Sequence, residues 1–353
     1  MSIFALLGAG DRIIGNRFGL GKEFEKGIMF LGPLALSMIG MIVISPFLAH
    51  LVRPVLELCS GCLPFDASIV PASLFANDMG GALLAVELMS DESIGNFNAL
   101  VVSSMLGCTI SFTIPVSLEC MRKERHREVI VGILCGLVTI PLGCLVAGFV
   151  SGLKFIPLLL NTIPIAVFSG LIAIGLLKVP EACIKVFSIF GVVIKVLITV
   201  GLALGIFTYL TGVELLRPLA SFESGAKICF NASAVMAGAF PLMHLVGLAL
   251  RKPLQKFGRK VGISDLSAMG IVTSMASSMI TFGNMGEMDK KGVVVNCAFA
   301  VSGAFTFAGH LAFTLAFNQE YVWAVIVGKL LAGFSAIAVA LMFYEKLYGK
   351  PES

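Results

Sequence analysis

Residues 66–90 read DASIVPASLFANDMGGALLAVELMS, an apolar stretch long enough to enter a membrane but interrupted near its middle. Pro71 and the pair Gly80-Gly81 disfavour one continuous helix, and Asn77 and Asp78 lie between the two apolar halves. Non-helical backbone at membrane depth is tolerated only where it is buried in protein or lines a cavity. The stretch therefore predicts a re-entrant hairpin, which enters the membrane and returns to the side it came from.

Residues 264–287 predict a second hairpin of the same kind. They read SDLSAMGIVTSMASSMITFGNMGE, with Gly270, Gly283 and a series of hydroxyl side chains inside an otherwise apolar stretch. Neither hairpin contains a Lys or an Arg, so a carboxylate within either one has no basic partner in the same segment.

The rest of the chain is mostly apolar. Of its 353 residues, 58% are hydrophobic and 13% are charged, and its mean hydropathy is +0.98, against about 45–50% apolar and 25% charged in soluble domains. Because backbone groups in lipid must be satisfied internally, and a helical crossing takes about 20 residues, the sequence predicts an all-α polytopic membrane protein. The predicted protein has about eight transmembrane helices plus the two re-entrant hairpins. The predicted spans are 27–51, 97–118, 129–151, 155–177, 186–211, 226–250, 292–315 and 321–345.

Lys and Arg residues near the span ends predict the orientation, because they collect on the cytoplasmic side. The arrangement that places every basic cluster inside has both termini in the cytoplasm, and it requires each hairpin to return to its own side. The clusters are Lys22 with Lys26, Arg122–Arg127, Lys178 with Lys185, Arg251–Lys260, Lys290 with Lys291, and Lys346 with Lys350.

A shift of about 200 residues aligns the two hairpin regions and indicates an internal repeat. The matched positions include Asp66 with Asp265, Glu87 with Glu287, and Asn98 with Asn296. The link after the first span of each copy is poor in basic residues at 53–65 but strongly basic at 251–260, so the two repeats are inverted. The predicted organisation is an N-terminal interfacial segment (1–26), a first repeat of helix, hairpin and helix (27–120), central transmembrane helices (121–225), a second repeat of helix, hairpin and helix (226–318), and a C-terminal transmembrane helix and tail (319–353).

Inverted repeats whose broken elements meet near the midplane are typical of secondary transporters. The layout is similar to that of concentrative nucleoside transporters, an analogy of architecture that carries no information about substrate. The analogy implies a homotrimer with the central spans as its scaffold, and a dimer is the alternative homo-oligomer.

Three carboxylates in the hairpins are the most informative polar groups: Asp78, Glu87 and Glu287. A charge inside the membrane costs about 2.5–3.5 kcal/mol on insertion scales, and a desolvated carboxylate favours a proton or a bound cation. The pattern predicts a cationic or amine substrate, and it leaves open a coupling proton or sodium ion. The predicted substrate-binding residues are Asn77, Asp78, Glu87, Asn98, Ser277, Ser278, Thr281, Phe282, Asn284, Glu287 and Asn296.

Structural roles compete with substrate binding at several of these positions. Asp78 could cap the helix that follows it, whereas Glu87 and Glu287 could be solvated at the hairpin ends. Asn98 and Asn296 suit hydrogen bonds between helices as well as substrate contact.

Other classes of function are disfavoured. The net charge of +4 is spread over short connections, which argues against nucleic-acid binding. The chain has no Walker A, HExxH, GxSxG or kinase motif, so the sequence predicts no enzyme, cofactor or metal site. Cys59 and Cys62 form the one CxxC, expected to serve packing or an external disulfide, and His50, His244 and His310 are expected to pack or to bond at interfaces.

The chain carries DRIIGN at 11–16, GLGKEFEKG at 19–27, FANDMGG at 75–81 followed by Glu87–Met89, and SMITFGNMGEMD at 278–289. Together these motifs resemble the ethanolamine permease family of bacterial ethanolamine-utilization operons, over essentially the whole chain. The resemblance implies uptake of ethanolamine across the bacterial cytoplasmic (inner) membrane by a facilitator or a secondary transporter. Ethanolamine is a small amine, protonated at neutral pH, with one hydroxyl, and it suits a site of carboxylate, amide and hydroxyl groups.

Two other functions compete with a permease for ethanolamine. A coupled transporter or channel for another small amine or polar solute would use similar groups, and a channel would show no saturation. A membrane receptor or scaffold would need large soluble loops, whereas the connections here are short.

Overall fold

The computed structural model describes residues 1–60 and 65–348, apart from the side chains of 55–60 and 348. The predicted Cys59–Cys62 pair and Lys350 lie outside this description. Every regular element among the described residues is helical. The α-helices are α1 (Ser2–Ile13), α2 (Leu20–Met29), α3 (Leu31–Leu34), α4 (Gly40–Ser60), α5 (Ile69–Leu74), α6 (Gly81–Leu88), α7 (Glu92–Phe97), α8 (Ile114–Glu119), α9 (His126–Val150), α10 (Phe155–Lys178), α11 (Pro180–Thr211), α12 (Phe222–Val261), α13 (Asp265–Ala276), α14 (Ser278–Asn284), α15 (Lys290–Gly303), α16 (Gly309–Phe317) and α17 (Val322–Tyr348).

Short π-helical and 3₁₀ segments join several of these helices. The π-helical stretches are Ala35–Ile39, Asn98–Gly107 and Thr109–Thr113, and the 3₁₀ turns are Asn77–Met79, Lys123–Arg125, Met285–Glu287 and Gln319–Tyr321.

Seven helical stretches within the described ranges are long and apolar enough to cross a membrane, so the chain is a multi-pass membrane protein, as predicted. They are Leu20–Pro54, Glu92–Glu119, Lys123–Val150, Phe155–Lys178, Pro180–Thr211, Phe222–Val261 and Gln319–Leu347. Each contains most or all of one predicted span.

The remaining predicted span, 292–315, is not one continuous helix. α15 and α16 are separated by turns in which Phe305 has left-handed backbone (φ 59°). The backbone N–H groups of Phe305 and Phe307 donate to the carbonyls of Ser274 and Met275, at 2.9 and 3.0 Å. Bonds to the second hairpin thus replace helical hydrogen bonds, and the broken backbone is satisfied inside the protein.

The first predicted hairpin turns back on itself at the Asn77–Met79 turn, which separates α5 from α6. Its two ends meet, because the Asp66 carboxylate accepts hydrogen bonds from the backbone N–H groups of Ser90 and Asp91, at 2.8 and 2.9 Å. The segment therefore begins and ends at one place.

The second predicted hairpin turns at Ser277, which has extended backbone between α13 and α14. The carboxylate that closes this hairpin follows its C-terminal end, whereas Asp66 lies at the N-terminal end of the first hairpin. Asp289 accepts from the backbone N–H of Ser264 at 2.8 Å and from the hydroxyl of Ser267 at 2.7 Å. Both hairpins are closed by an aspartate, and their entry into the membrane stays a prediction.

The centre of the molecule is formed by α9, α15, α17 and the π-helical stretch Asn98–Gly107. α9, α15 and α17 pack against one another, and the residues of α15 from Lys291 to Gly303 are all buried. At the periphery, α4 and α11 cross at Gly40 and Gly201, where a Cβ on either residue would overlap the backbone of the other helix. Glycine at both positions is what allows this close crossing.

Candidate functional site

A cavity of about 500 Å³ lies where the three breaks in helical structure meet. Its lining includes Asp78 from the turn of the first hairpin, Ser277 from the turn of the second, and His310 at the start of α16. The cavity also reaches Lys26, an exposed residue of α2. It therefore connects the interior of the bundle with the surface.

Asp78 is the only carboxylate among the described residues that line this cavity. Within the described part of the chain it forms no ion pair closer than 4 Å. It does not cap the helix that follows, because α6 begins after Gly80 without a side-chain cap. Its carboxylate instead lies beside Gly309, where the N-terminal end of α16 contributes positive potential. Asp78 is thus placed to hold a cation from the cavity.

Lys329, which the sequence prediction missed, is a buried charge of opposite sign that the structure brings into this region. It lies in α17, is 0% exposed, and donates a hydrogen bond of 2.6 Å to the carbonyl of Ser104. Ser104 precedes the cavity-lining Cys108 by one helical turn, and Lys329 interacts electrostatically with Asp78. Lys329 could have been recognised from the sequence, because it is the one charged residue in the apolar stretch 322–343.

Hydroxyl, imidazole and aromatic groups also line the cavity. Ser277 was predicted from the sequence, whereas His310 was expected to pack or to form a hydrogen bond at an interface. The Nδ1 atom of His310 is buried and has no hydrogen-bond partner among the described residues. Phe305 packs edge-on against Phe112, with ring centroids 5.3 Å apart, and also contacts the ring of His310. A small organic cation would meet both aromatic faces and polar atoms here.

Asn77 and Ser278 adjoin the cavity without lining it. Each is next in sequence to a lining residue, and each is 0% exposed. The amide atoms of Asn77 and the hydroxyl of Ser278 have no hydrogen-bond partner in the described part of the chain. Buried polar groups are usually bonded, so these two side chains are a reserve of unused hydrogen-bonding capacity beside the cavity.

Asn98 and Asn296 lie outside the cavity and join each hairpin to the helix that follows it. The side-chain amide of Asn98 donates to the hydroxyl of Ser68 at 2.9 Å and exchanges hydrogen bonds with Asn161, at 2.6 and 3.2 Å. The amide of Asn296 donates to the carbonyl of Ser267 at 2.8 Å. These residues hold helices together in the arrangement observed.

The other predicted site residues also lie away from the cavity. Thr281 donates to the carbonyl of Gly270 at 3.1 Å, and Phe282 is fully buried in the core. Exposed positions near the hairpin ends are occupied by Glu87, Asn284 and Glu287. Within residues 1–60 and 65–348, no three His, Cys, Asp or Glu side chains cluster closely enough to hold a metal ion.

Comparison with known proteins assigns a family. The model of the family described as "Ethanolamine utilisation protein, EutH" matches residues 1–343. The chain is 40% identical over 350 residues to the "Probable ethanolamine permease EutH" of Listeria monocytogenes, covering 99% of this chain and 94% of that protein. It is 36% identical over 384 residues to the protein of the same name from Escherichia coli K12, covering 98% and 94%.

A Bacillus subtilis relative, "Uncharacterized protein YxeR", is 36% identical over 340 residues, covering 96% of this chain and 92% of its own length. No solved structure matches the chain.

Proposed function

Since this chain belongs to the EutH family of ethanolamine utilisation proteins, we propose that it carries ethanolamine across the bacterial inner membrane through the cavity around Asp78. The observation that carries the proposal is the single carboxylate of the described lining, which has no close ion-pair partner. Protonated ethanolamine presents an ammonium group with three donors, and a charge-assisted hydrogen bond to a carboxylate is roughly twice as strong as a neutral one.

The second functional group of ethanolamine is its hydroxyl, and Ser277 is the proposed partner. Asp78 and Ser277 come from the turns of different hairpins, so a molecule that bonds both would bridge the two hairpins. Phe112 and Phe305 would pack against the ammonium group and the two methylene groups, since aromatic faces attract cations. The unpartnered atoms of Asn77 and Ser278 would become available if the hairpins shift during transport.

The conformation described is proposed to be the one open to the cytoplasm. The cavity reaches Lys26, which belongs to a basic cluster that the sequence predicts on the cytoplasmic side. Closing this path and opening another toward the outside would require the hairpin turns to move relative to α2 and α12, which line the cavity through Lys26 and Phe240. Movement of two similar halves around one site is the usual form of alternating access.

Uptake of labelled ethanolamine into proteoliposomes at pH 6 tests the proposal. The protonated amine crosses lipid poorly, so leakage through empty vesicles is smallest under acidic conditions. Saturable uptake above the empty-vesicle level is expected. Uptake that stops when the ethanolamine concentrations inside and outside the vesicles are equal would establish a facilitator. Accumulation that is lost when a proton or sodium gradient is dissipated would identify the coupling ion. Equal uptake by vesicles with and without the protein would contradict the assignment of ethanolamine as the substrate.

A channel is the competing function, and the same assay separates it from a carrier. A channel would give uptake that rises in proportion to ethanolamine concentration without saturating. Competition by ethylamine and by other small amines in the saturable range would then define the substrate class.

A further inference from the structure

A second cavity, of about 790 Å³, lies away from the site around Asp78, where the ends of α9, α10, α11 and α17 meet. Its floor is apolar and includes Ile130, Leu134 and Leu176. Its rim carries the basic side chains of Lys123, His126, Arg127 and Lys185, together with one carboxylate, Glu181. The cavity therefore combines an apolar interior with a rim on which positive charge exceeds negative charge.

The paths of the helices explain why a gap exists here. α10 ends at Lys178 and α11 begins at Pro180, so the chain turns sharply at Val179. From this corner α10 packs along α9, whereas α11 packs along α4. The two helices diverge, and the side chains of α9 and the end of α17 do not fill the wedge between them.

We propose that this cavity binds an anionic phospholipid, with an acyl chain on the apolar floor and the phosphate at Lys123 and Lys185. The floor residues belong to the apolar spans Lys123–Val150 and Phe155–Lys178, so we expect the floor to face lipid rather than water. The rim belongs to the basic clusters that mark one membrane face, which the sequence predicts to be cytoplasmic. The volume of the cavity lies within the usual range for a ligand pocket, about 300–1,000 Å³.

Charge favours an anionic lipid over the other occupants of such a groove. A zwitterionic lipid would bring its own cation to a rim that already has an excess of positive charge. A second copy of the chain, docked about a two-fold axis at this face, would bring the same basic rim toward itself. A soluble partner would not reach the floor, because the floor lies among the membrane spans.

Binding of phosphatidylglycerol against phosphatidylcholine with the same acyl chains tests the proposal. The purified full-length protein is mixed with both lipids at equal concentration, and the bound lipids are counted by native mass spectrometry. Phosphatidylglycerol is expected to dominate. A basic side chain near the membrane surface is worth about 1 kcal/mol, so the double variant Lys123→Gln/Lys185→Gln should lose about 30-fold of the preference, at 1.4 kcal/mol per tenfold.

The matched control is Lys252→Gln/Lys256→Gln, which removes the same charge from exposed positions of α12 outside the cavity. It should retain the preference. Leu134→Trp, which fills the floor without changing charge, should reduce retention of both lipids. Equal retention of the two lipids by the wild-type protein would overturn the proposal, and so would an equal loss of preference in the control. The wild-type comparison needs no variant to fold.

Discussion

Asp78 and Lys329 are opposite charges inside one bundle, and they lie in different types of secondary structure. Asp78 lies in a 3₁₀ turn of the first hairpin, whereas Lys329 lies in α17 and bonds to a carbonyl of a π-helical stretch. An isolated charge in the interior is costly, and a second charge of opposite sign offsets part of that cost. The two side chains should therefore be energetically coupled, although no direct ion pair joins them.

Thermal unfolding in detergent tests this coupling. Lys329→Met should lower the melting temperature, because Asp78 loses a buried countercharge with which it interacts electrostatically. The double variant Asp78→Asn/Lys329→Met should be more stable than the sum of the single effects predicts, by about 0.5–3 kcal/mol. Lys195→Met, at an exposed position of α11, is the matched control and should add to Asp78→Asn without coupling. Strict additivity in the Asp78 and Lys329 pair would contradict the account.

Ser277 should set the preference for a hydroxyl-bearing amine. In Ser277→Ala the advantage of ethanolamine over ethylamine as a competitor of uptake should fall by about 3- to 10-fold, the value of one neutral hydrogen bond. Ser37→Ala is the control within the same cavity, because the Ser37 hydroxyl already donates to the carbonyl of Pro33 at 3.0 Å. An unchanged preference in Ser277→Ala would remove Ser277 from the hydroxyl contact.

The sequence predicts the hairpin contributions to the cavity better than the helical ones. Asp78 and Ser277 are recognisable because each is a polar residue at a break in an apolar segment. Lys329 was visible in the same way, as a charge in an apolar span, but its environment comes from Ser104, which is 225 positions away in the chain. His310 looked isolated because the break that brings it to the cavity is not evident in the sequence.

At the scale of elements, side-chain amides join the hairpins to the bundle. Asn98 links the first hairpin, through Ser68, to Asn161 of α10. We expect Asn98→Ala to lower stability by about 1–3 kcal/mol, because the amide of Asn161 is then buried without a partner. The KM for ethanolamine should stay unchanged. Asn96→Ala, which removes an exposed amide bonded within its own helix, is the control. Normal stability with lost uptake would instead place Asn98 in the substrate site.

The aspartate that closes the second hairpin predicts an acid-sensitive contribution to stability. Burial alone would raise the pKa of Asp289, but hydrogen bonds from Ser264, Ser267 and Gly292 outweigh it and lower that pKa below the ordinary value of 3.8. A lowered pKa in the folded state stabilises the protein at higher pH, and this contribution is lost as the pH falls through the lowered value. At pH 7 the wild-type protein should therefore melt above Asp289→Asn.

The difference between the two melting temperatures should shrink as the pH is lowered from 5 toward 3. Glu287→Gln, an exposed carboxylate of the same hairpin, should stay close to wild type throughout. A gap between wild type and Asp289→Asn that persists or widens in acid would contradict the role of the ionised carboxylate.

The break between α15 and α16 shows where sequence patterns fail at the level of elements. Pro71 and Gly80 mark the first hairpin turn locally, so it could be predicted. The residues between α15 and α16 read AFTFA, which is as apolar as the helices around it and contains no proline. What stabilises the break is a pair of hydrogen bonds to the carbonyls of Ser274 and Met275, and a contact with a distant segment leaves no local signature.

At the scale of the whole molecule, three interruptions of helical structure converge on one cavity. The two hairpin turns and the break before α16 each supply a residue to its lining: Asp78, Ser277 and His310. The two hairpins are closed at their ends by Asp66 and Asp289, and the break before α16 is held by backbone hydrogen bonds to Ser274 and Met275. This arrangement brings polar groups from three distant parts of the chain to one cavity, as the proposed transport of a small amine requires.

The most direct test of the central claim is saturable ethanolamine uptake by Asp78→Asn in proteoliposomes, measured beside wild type and Glu87→Gln. All three proteins must be inserted in equal amounts. Asp78→Asn keeps the shape of the side chain but removes the negative charge that we propose holds the ammonium group, so its uptake should fall to the level of empty vesicles. Glu87→Gln, at an exposed hairpin position, should transport like wild type. Near-normal uptake by Asp78→Asn would contradict the proposed site.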